Sequence, residues 1–134
     1  DPGLFIYGDD FEYLYRLSIN RKNYLIKKAI IHHEDIPKNS QGIKPEFWWK
    51  QYYKYRNKYL FISKYCKSRA KKVIYQSKLT IWLLLKIIKE NLVNPNIRGN
   101  RYLVSKTIFQ SIVDGIRGKR GKVIDPQKYL REVK

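Results

Sequence analysis

Between Pro45 and Tyr65, Trp48, Tyr52, Tyr55, Tyr59 and Ile62 recur at spacings of four, three, four and three. At 3.6 residues per turn those positions form one continuous stripe, so the segment from about Glu46 to Tyr65 reads as a helix that buries an aromatic face. A stripe of this kind is more often core than a platform for a ligand. A second helix is expected from about Arg69 to Asn91, with Val73, Ser77, Ile81, Leu84 and Ile88 as its buried face. Asn94-Pro95-Asn96 ends it, because proline cannot continue a helix. A third helix is expected from about Arg101 to Ile116, with Ile108, Phe109, Ile112, Val113 and Ile116 on its apolar side. Gly118 suits its C-terminal cap. The remainder, 119–134, reads as a basic tail with a turn at Asp125-Pro126 and one last helical turn.

The first 35 residues have another character. Leu4-Phe5-Ile6-Tyr7 is a short apolar run followed by Gly8, and Phe11, Leu14, Tyr15 and Ser18 share one helical face. Tyr24 to Lys27 and Ala29 to His32 read as two short strands. Residues 36–45 hold Pro37, Asn39, Ser40, Gly42 and Pro45 and read as a loop. The expected fold class is therefore α+β and mostly helical: short strands plus one helix over 1–35, a loop over 36–45, and a three-helix extension with a basic tail over 46–134. No internal repeat is visible.

Composition narrows the function classes. The 134 residues carry a formal net charge of +18, which attracts polyanions such as nucleic acid or an anionic membrane surface. Lys, Ile, Asn and Tyr also share AT-rich codons, so a biased genome would inflate them together. Cys66 is the single cysteine, which excludes an internal disulfide. No apolar run reaches the ~20 residues needed to span a bilayer. The most apolar stretch, Leu79 to Leu85, is closed by Lys86 and suits a buried or interfacial helix. There is no methionine, and a strand-like run begins by the fourth residue. The chain is accordingly expected to be the C-terminal piece of a longer protein.

The acids are few and clustered. Asp9, Asp10 and Glu12 lie within four residues of an otherwise basic chain. Asp9 fits an N-cap, with Glu12 three residues on as in a capping box. Asp10 falls in the first helical turn, near the positive end of the helix dipole. A carboxylate there either caps and solvates the helix end or serves as a general base for a hydroxyl that reaches it.

Gly8-Asp9-Asp10-Phe11-Glu12-Tyr13-Leu14-Tyr15-Arg16 resembles the acceptor-side motif of inverting family 2 glycosyltransferases. Asn20 to Ile26 is similar to that family's turn into a strand, with Asn23 where a glycine is usual. Ala29 to Glu34 resembles the strand that ends in the family's histidine. Tyr52-Tyr53-Lys54-Tyr55-Arg56-Asn57 resembles the aromatic-Arg-Asn signature of galactofuranosyl- and rhamnosyltransferase-like members. Ile112 to Lys119 resembles their Asp-Gly-aliphatic-Arg-Gly-Lys ending. These motifs stand in the family's order and span Gly8 to Lys119.

The resemblance implies that residues 1–35 are the acceptor-side end of a GT-A catalytic domain. The nucleotide-binding half would lie outside this chain, and this stretch alone would transfer no sugar. It implies a nucleotide-sugar donor (galactofuranose or rhamnose by the relatives named), a glycan or lipid-linked acceptor, and action at the cytoplasmic face of the cell membrane. Asp10 matches the catalytic base of an inverting, single-displacement transfer. Asp9 either orients the acceptor or caps the helix. Glu12 matches an acid that touches a sugar hydroxyl, and it also forms an i,i+4 pair with Arg16. His33 matches a histidine that completes a divalent metal site, Mn or Mg, whose carboxylate ligands would come from outside this chain. Arg56 either packs by cation–π contact or holds an acceptor phosphate. Trp48 and Trp49 either stack on sugar rings or, in one case at least, pack into the core. Further candidate partners are an anionic membrane and a second copy of the chain.

The rival reading is a small basic helical module that binds nucleic acid, with a positive groove and aromatic stacking faces. It fits less well, because the aromatics sit at core spacing and the acid cluster would repel phosphate.

Overall fold

The computed structural model describes residues 1–22, 24 and 43–133. Among the described residues five helices carry the fold: α1 (Asp9–Asn20), α2 (Trp48–Tyr65), α3 (Arg69–Val93), α4 (Arg101–Ile116) and α5 (Pro126–Glu132). Short 3-10 turns, Pro2–Leu4, Pro45–Phe47 and Pro95–Asn100, begin the chain and introduce α2 and α4. Each turn begins with a proline, whose fixed φ is already set for a helical start.

The α+β expectation is overturned. Among the described residues there is no strand, and the fold is helical. The apolar run Leu4 to Tyr7 is not extended. Phe5, Ile6 and Tyr7 have φ of 30°, 49° and 64°, and Gly8 follows at 87°. Side chains from α2 take the carbonyls of this segment, so the backbone groups that a strand would offer to a neighbour are already used. The strands expected at 24–27 and 29–32, with His33, fall outside the described residues save for Tyr24.

α2 is the centre of the molecule and packs mainly against α4. Trp48, Tyr52, Tyr53, Tyr55, Tyr59 and Leu60 of α2 are buried, as are Leu103, Val104, Ile108 and Ile112 of α4. The closest approach is at Gly115. A Cβ there would lie 2.7–2.8 Å from the ring and Cβ of Tyr59, so only glycine lets the two helices meet at this distance. α4 ends in a Schellman arrangement: Lys119 N–H donates to Asp114 O at 2.8 Å and Gly118 N–H to Gly115 O at 3.2 Å, with Gly118 at φ 73°.

α3 has its N-cap at Ser68, whose Oγ accepts from Lys71 N–H at 3.4 Å. It turns a different face inward from the one its sequence suggests. Leu83 is buried and Leu79 and Ile87 pack on the core, whereas Val73, Ile81, Leu84 and Ile88 are exposed. The cause is polar pairing. Tyr59 and Thr80 hydroxyls meet at 2.7 Å, Gln76 donates to Ser63 Oγ at 3.0 Å, and Asn91 donates to Ser105 Oγ at 2.9 Å. These pairs fix the rotation of a helix that is apolar on more than one side. α4 departs from its expected face in the same way. Phe109 and Ile116 are exposed, while Thr107, Ser111 and Asp114 are buried.

Candidate functional site

The acid cluster is held by α2. Arg56 is fully buried at 0 % exposure. Its guanidinium donates to Gly121 O at 2.7 Å, to Leu4 O at 3.2 Å and to Gly3 O at 3.4 Å. It lies over the rings of Tyr52 and Tyr53, at 5.6 and 4.9 Å from their centroids. It also donates to Asn57 Oδ1 at 2.8 and 3.1 Å, which orients the amide. Asn57 Nδ2 then donates to the carbonyls of Leu4, of Ile6 at 3.0 Å and of Tyr7 at 2.7 Å. Tyr53 completes the clamp. Its hydroxyl accepts from Val123 and Ile124 N–H at 2.9 and 2.8 Å and donates to Ile124 O at 3.0 Å.

One tyrosine, one arginine and one asparagine thus fasten two distant stretches, 3–7 and 121–124, to one helix. Gly121 N–H donates to Gly3 O at 2.8 Å and joins the two stretches directly. The left-handed run Phe5 to Gly8 costs about 1–2 kcal/mol at each non-glycine position. The clamp offsets that cost, and the chain is delivered to the start of α1 in one orientation.

Asp10 stands just beyond the clamp. It is exposed, in the first turn of α1, and Oδ1 accepts from Phe11 N–H at 2.8 Å. It lines a cleft of about 720 Å³ between α1, α2 and α3. The walls are mostly apolar, from Phe11, Phe61, Ile62 and Leu79, and the polar members include Asp10, Asn57, Lys54 and Lys58. Burial together with the charges of Lys54 and Lys86 pushes the Lys58 amine below the ordinary lysine value. An acid and two amines on apolar walls can orient a polyhydroxylated or anionic group while excluding part of its water.

Several expected contacts are placed elsewhere. Asp9 is not the N-cap. Gly8 occupies that position without a side-chain bond, and Asp9 is the exposed first residue of α1. Glu12 turns inward and is 1 % exposed. Oε1 accepts from Lys64 Nζ at 2.8 Å and from the Tyr65 hydroxyl, with Arg16 Nε at 3.5 Å. The Lys64 and Tyr65 hydrogen bonds hold its carboxyl down at about 2, against the desolvation that would raise it. An acid so engaged is not offered to a sugar hydroxyl. Trp48, at 0 % exposure, is core, and its Nε1 donates to Ile43 O at 3.3 Å. Trp49 is half-buried against the core, stacked edge-on to Tyr53, and does not line the cleft with Asp10. Arg56 binds backbone and aromatic faces, so no phosphate reaches it.

Sequence reasoning missed Lys54, Lys58 and the apolar wall from Phe61, Ile62 and Leu79. The signal was available in part, since positions 54, 58 and 61 recur on the side of α2 that adjoins the aromatic stripe. His33 lies outside the described residues. Among the described residues no group of three or more His, Cys, Asp or Glu side chains could hold a metal ion. Also among them, no helix is long and apolar enough to cross a membrane.

Compared with protein-family models, curated proteins and solved structures, the chain matches none.

Proposed function

We propose that this chain is the acceptor-side, C-terminal portion of an inverting glycosyltransferase that works at the cytoplasmic face of a membrane. One observation carries the reading. The aromatic-Arg-Asn motif at 52–57 is hydrogen-bonded both to Ile6 and Tyr7, which lead directly into the acid motif at 8–16, and to the glycine-rich ending from Asp114 to Gly121, although all three are far apart in sequence. Asn57 fixes the residues that lead into Asp10, Arg56 fixes Gly121, and Tyr52 donates to Asp114 at 2.7 Å.

In this reading Asp10 takes the proton from an acceptor hydroxyl as that oxygen attacks the anomeric carbon of the donor. The carbon–oxygen bond to the nucleotide breaks in the same displacement, which inverts the centre, and the nucleotide leaves with the bonding pair. A base with this duty must be solvent-accessible before the acceptor arrives and partly desolvated afterwards. An exposed carboxylate on the rim of an apolar cleft meets both conditions. Lys54 and Lys58 orient the acceptor. The donor, and a divalent metal if one is used, belong to residues outside those described.

The test is transfer by the longer protein with Asp10→Asn. Loss of a general base lowers the rate about 10²–10⁴-fold, while donor affinity stays as in the parent. Near-normal turnover removes Asp10 from the mechanism, and unchanged binding of every sugar acceptor by a Lys54→Ala, Lys58→Ala variant removes the cleft.

A further inference from the structure

We infer that the outward ridge of α3 is a docking face for an anionic lipid surface. Ile74, Ile81, Leu85, Ile88 and Leu92 follow one another at seven, four, three and four residues, which keeps them on a single stripe of the helix. They are 51–78 % exposed, and the stripe lies opposite the inward side marked by Leu83. A helix that is apolar on both sides is unusual on a surface in contact with water. The five side chains extend over 19 residues, whose 18 rises make roughly 27 Å of helix.

Charge selects the occupant. α3 carries six cationic residues, Arg69, Lys71, Lys72, Lys78, Lys86 and Lys89, against the single acid Glu90. Glu90 is already engaged by Lys86 at 3.0 Å and Asn94 at 2.8 Å. Lys71, Lys78 and Lys89 are exposed and share one flank of the apolar stripe. An apolar ridge beside a row of amines matches the boundary between acyl chains and anionic headgroups. A second copy matches poorly, because each copy brings a net charge of +18 and would set lysine against lysine. The helix lies along the surface rather than through it, since no segment of it is apolar enough to cross. This assignment supplies the membrane contact that the proposed function assumes, and it uses none of the transfer chemistry.

The experiment is co-sedimentation of the 134-residue chain with vesicles of phosphatidylcholine alone and of phosphatidylcholine mixed with phosphatidylglycerol. Binding is expected to the mixed vesicles and to weaken steeply as salt rises from about 0.05 to 0.5 M. Leu85→Ser with Ile88→Ser should weaken it about tenfold or more. Lys78→Glu with Lys89→Glu should do the same through the other half of the face. Leu130→Ser, an exposed apolar change on α5, should leave binding unchanged. Equal binding to neutral vesicles overturns the assignment, as does full binding by the Leu85→Ser, Ile88→Ser pair. Absence of vesicle binding, together with a dimer in sedimentation that this pair dissociates, assigns the ridge to a second copy instead. No nucleotide sugar enters the assay, so its failure leaves the Asp10 reading standing, and failure of Asp10→Asn leaves the ridge standing.

Discussion

The side-chain amide of Asn57 donates to the carbonyl of Tyr7 at 2.7 Å, three residues before Asp10. A residue in the middle of α2 therefore sets where the acid motif begins, across fifty positions of sequence. Asn57→Ala removes the donor to three carbonyls, those of Leu4, Ile6 and Tyr7. Unsatisfied buried carbonyls and lost bonds should cost about 2–4 kcal/mol. Urea unfolding should show a lower midpoint at unchanged slope.

Arg56→Lys should fail to restore what Arg56→Ala loses. One ammonium cannot reach Gly121, Leu4 and Asn57 together, nor lie flat over Tyr52 and Tyr53 as the planar guanidinium does. Both variants should unfold about 2–5 kcal/mol more easily than the parent, as expected when a fully buried, hydrogen-bonded cation is cut back. A lysine variant within about 0.5 kcal/mol of the parent would show that charge alone suffices at this position.

The pH dependence of stability has two limbs. Glu12 is held at about 2 in the fold against an ordinary value of 4.5. Its contribution is therefore complete above about pH 4.5 and is lost as pH falls toward 2. Glu12→Gln should lie below the parent at neutral pH and converge with it at about pH 2. The tyrosines supply the alkaline limb. Tyr52, Tyr55, Tyr59, Tyr65 and Tyr129 are all raised from the usual 10.0, chiefly by burial. Their neutral forms favour the fold below pH 10, and that support disappears as pH climbs through the raised values. Thermal unfolding followed between pH 2 and 12 measures both limbs.

Gly115→Ala should destabilise the chain even though alanine favours helix more than glycine does. The new methyl meets the Tyr59 Cβ and ring at 2.7–2.8 Å, and a Cβ atom is not the movable end of a side chain. Overpacking of about 1–3 kcal/mol outweighs a propensity gain of up to about 1 kcal/mol. Tyr59→Ala in the Gly115→Ala background should relieve the ring contacts but keep the Cβ contact, so a double-mutant cycle should read a partial rescue of the steric penalty.

Periodicity made α2 legible, because one aromatic stripe and one polar side leave a single way to orient it. It also contained a clue to Arg56, which sits four after Tyr52 and three before Tyr59 and so belongs to the buried stripe despite its charge. Nothing comparable existed for α3. With apolar residues on both sides, its rotation is decided by Thr80, Gln76 and Asn91 meeting partners on α2 and α4. The chain start misled for another reason. Leu4 to Tyr7 has the composition of a strand, and its left-handed path follows from Arg56 and Asn57, whose positions in space no local pattern reveals. Of the site, Asp10 was visible as the acid at a helix start. The wall that faces it comes from three separate helices and was not.

The Arg56–Asn57 clamp grips main-chain carbonyls and is blind to the side chains that those residues carry. Tyr7 and Leu4 line the same cleft as Asp10. Substitution of those side chains can therefore reshape the cleft, one position at a time, without loosening the main-chain hydrogen bonds that lead into Asp10. The shape of the cleft and the placement of the carboxylate are separately inheritable in such an arrangement.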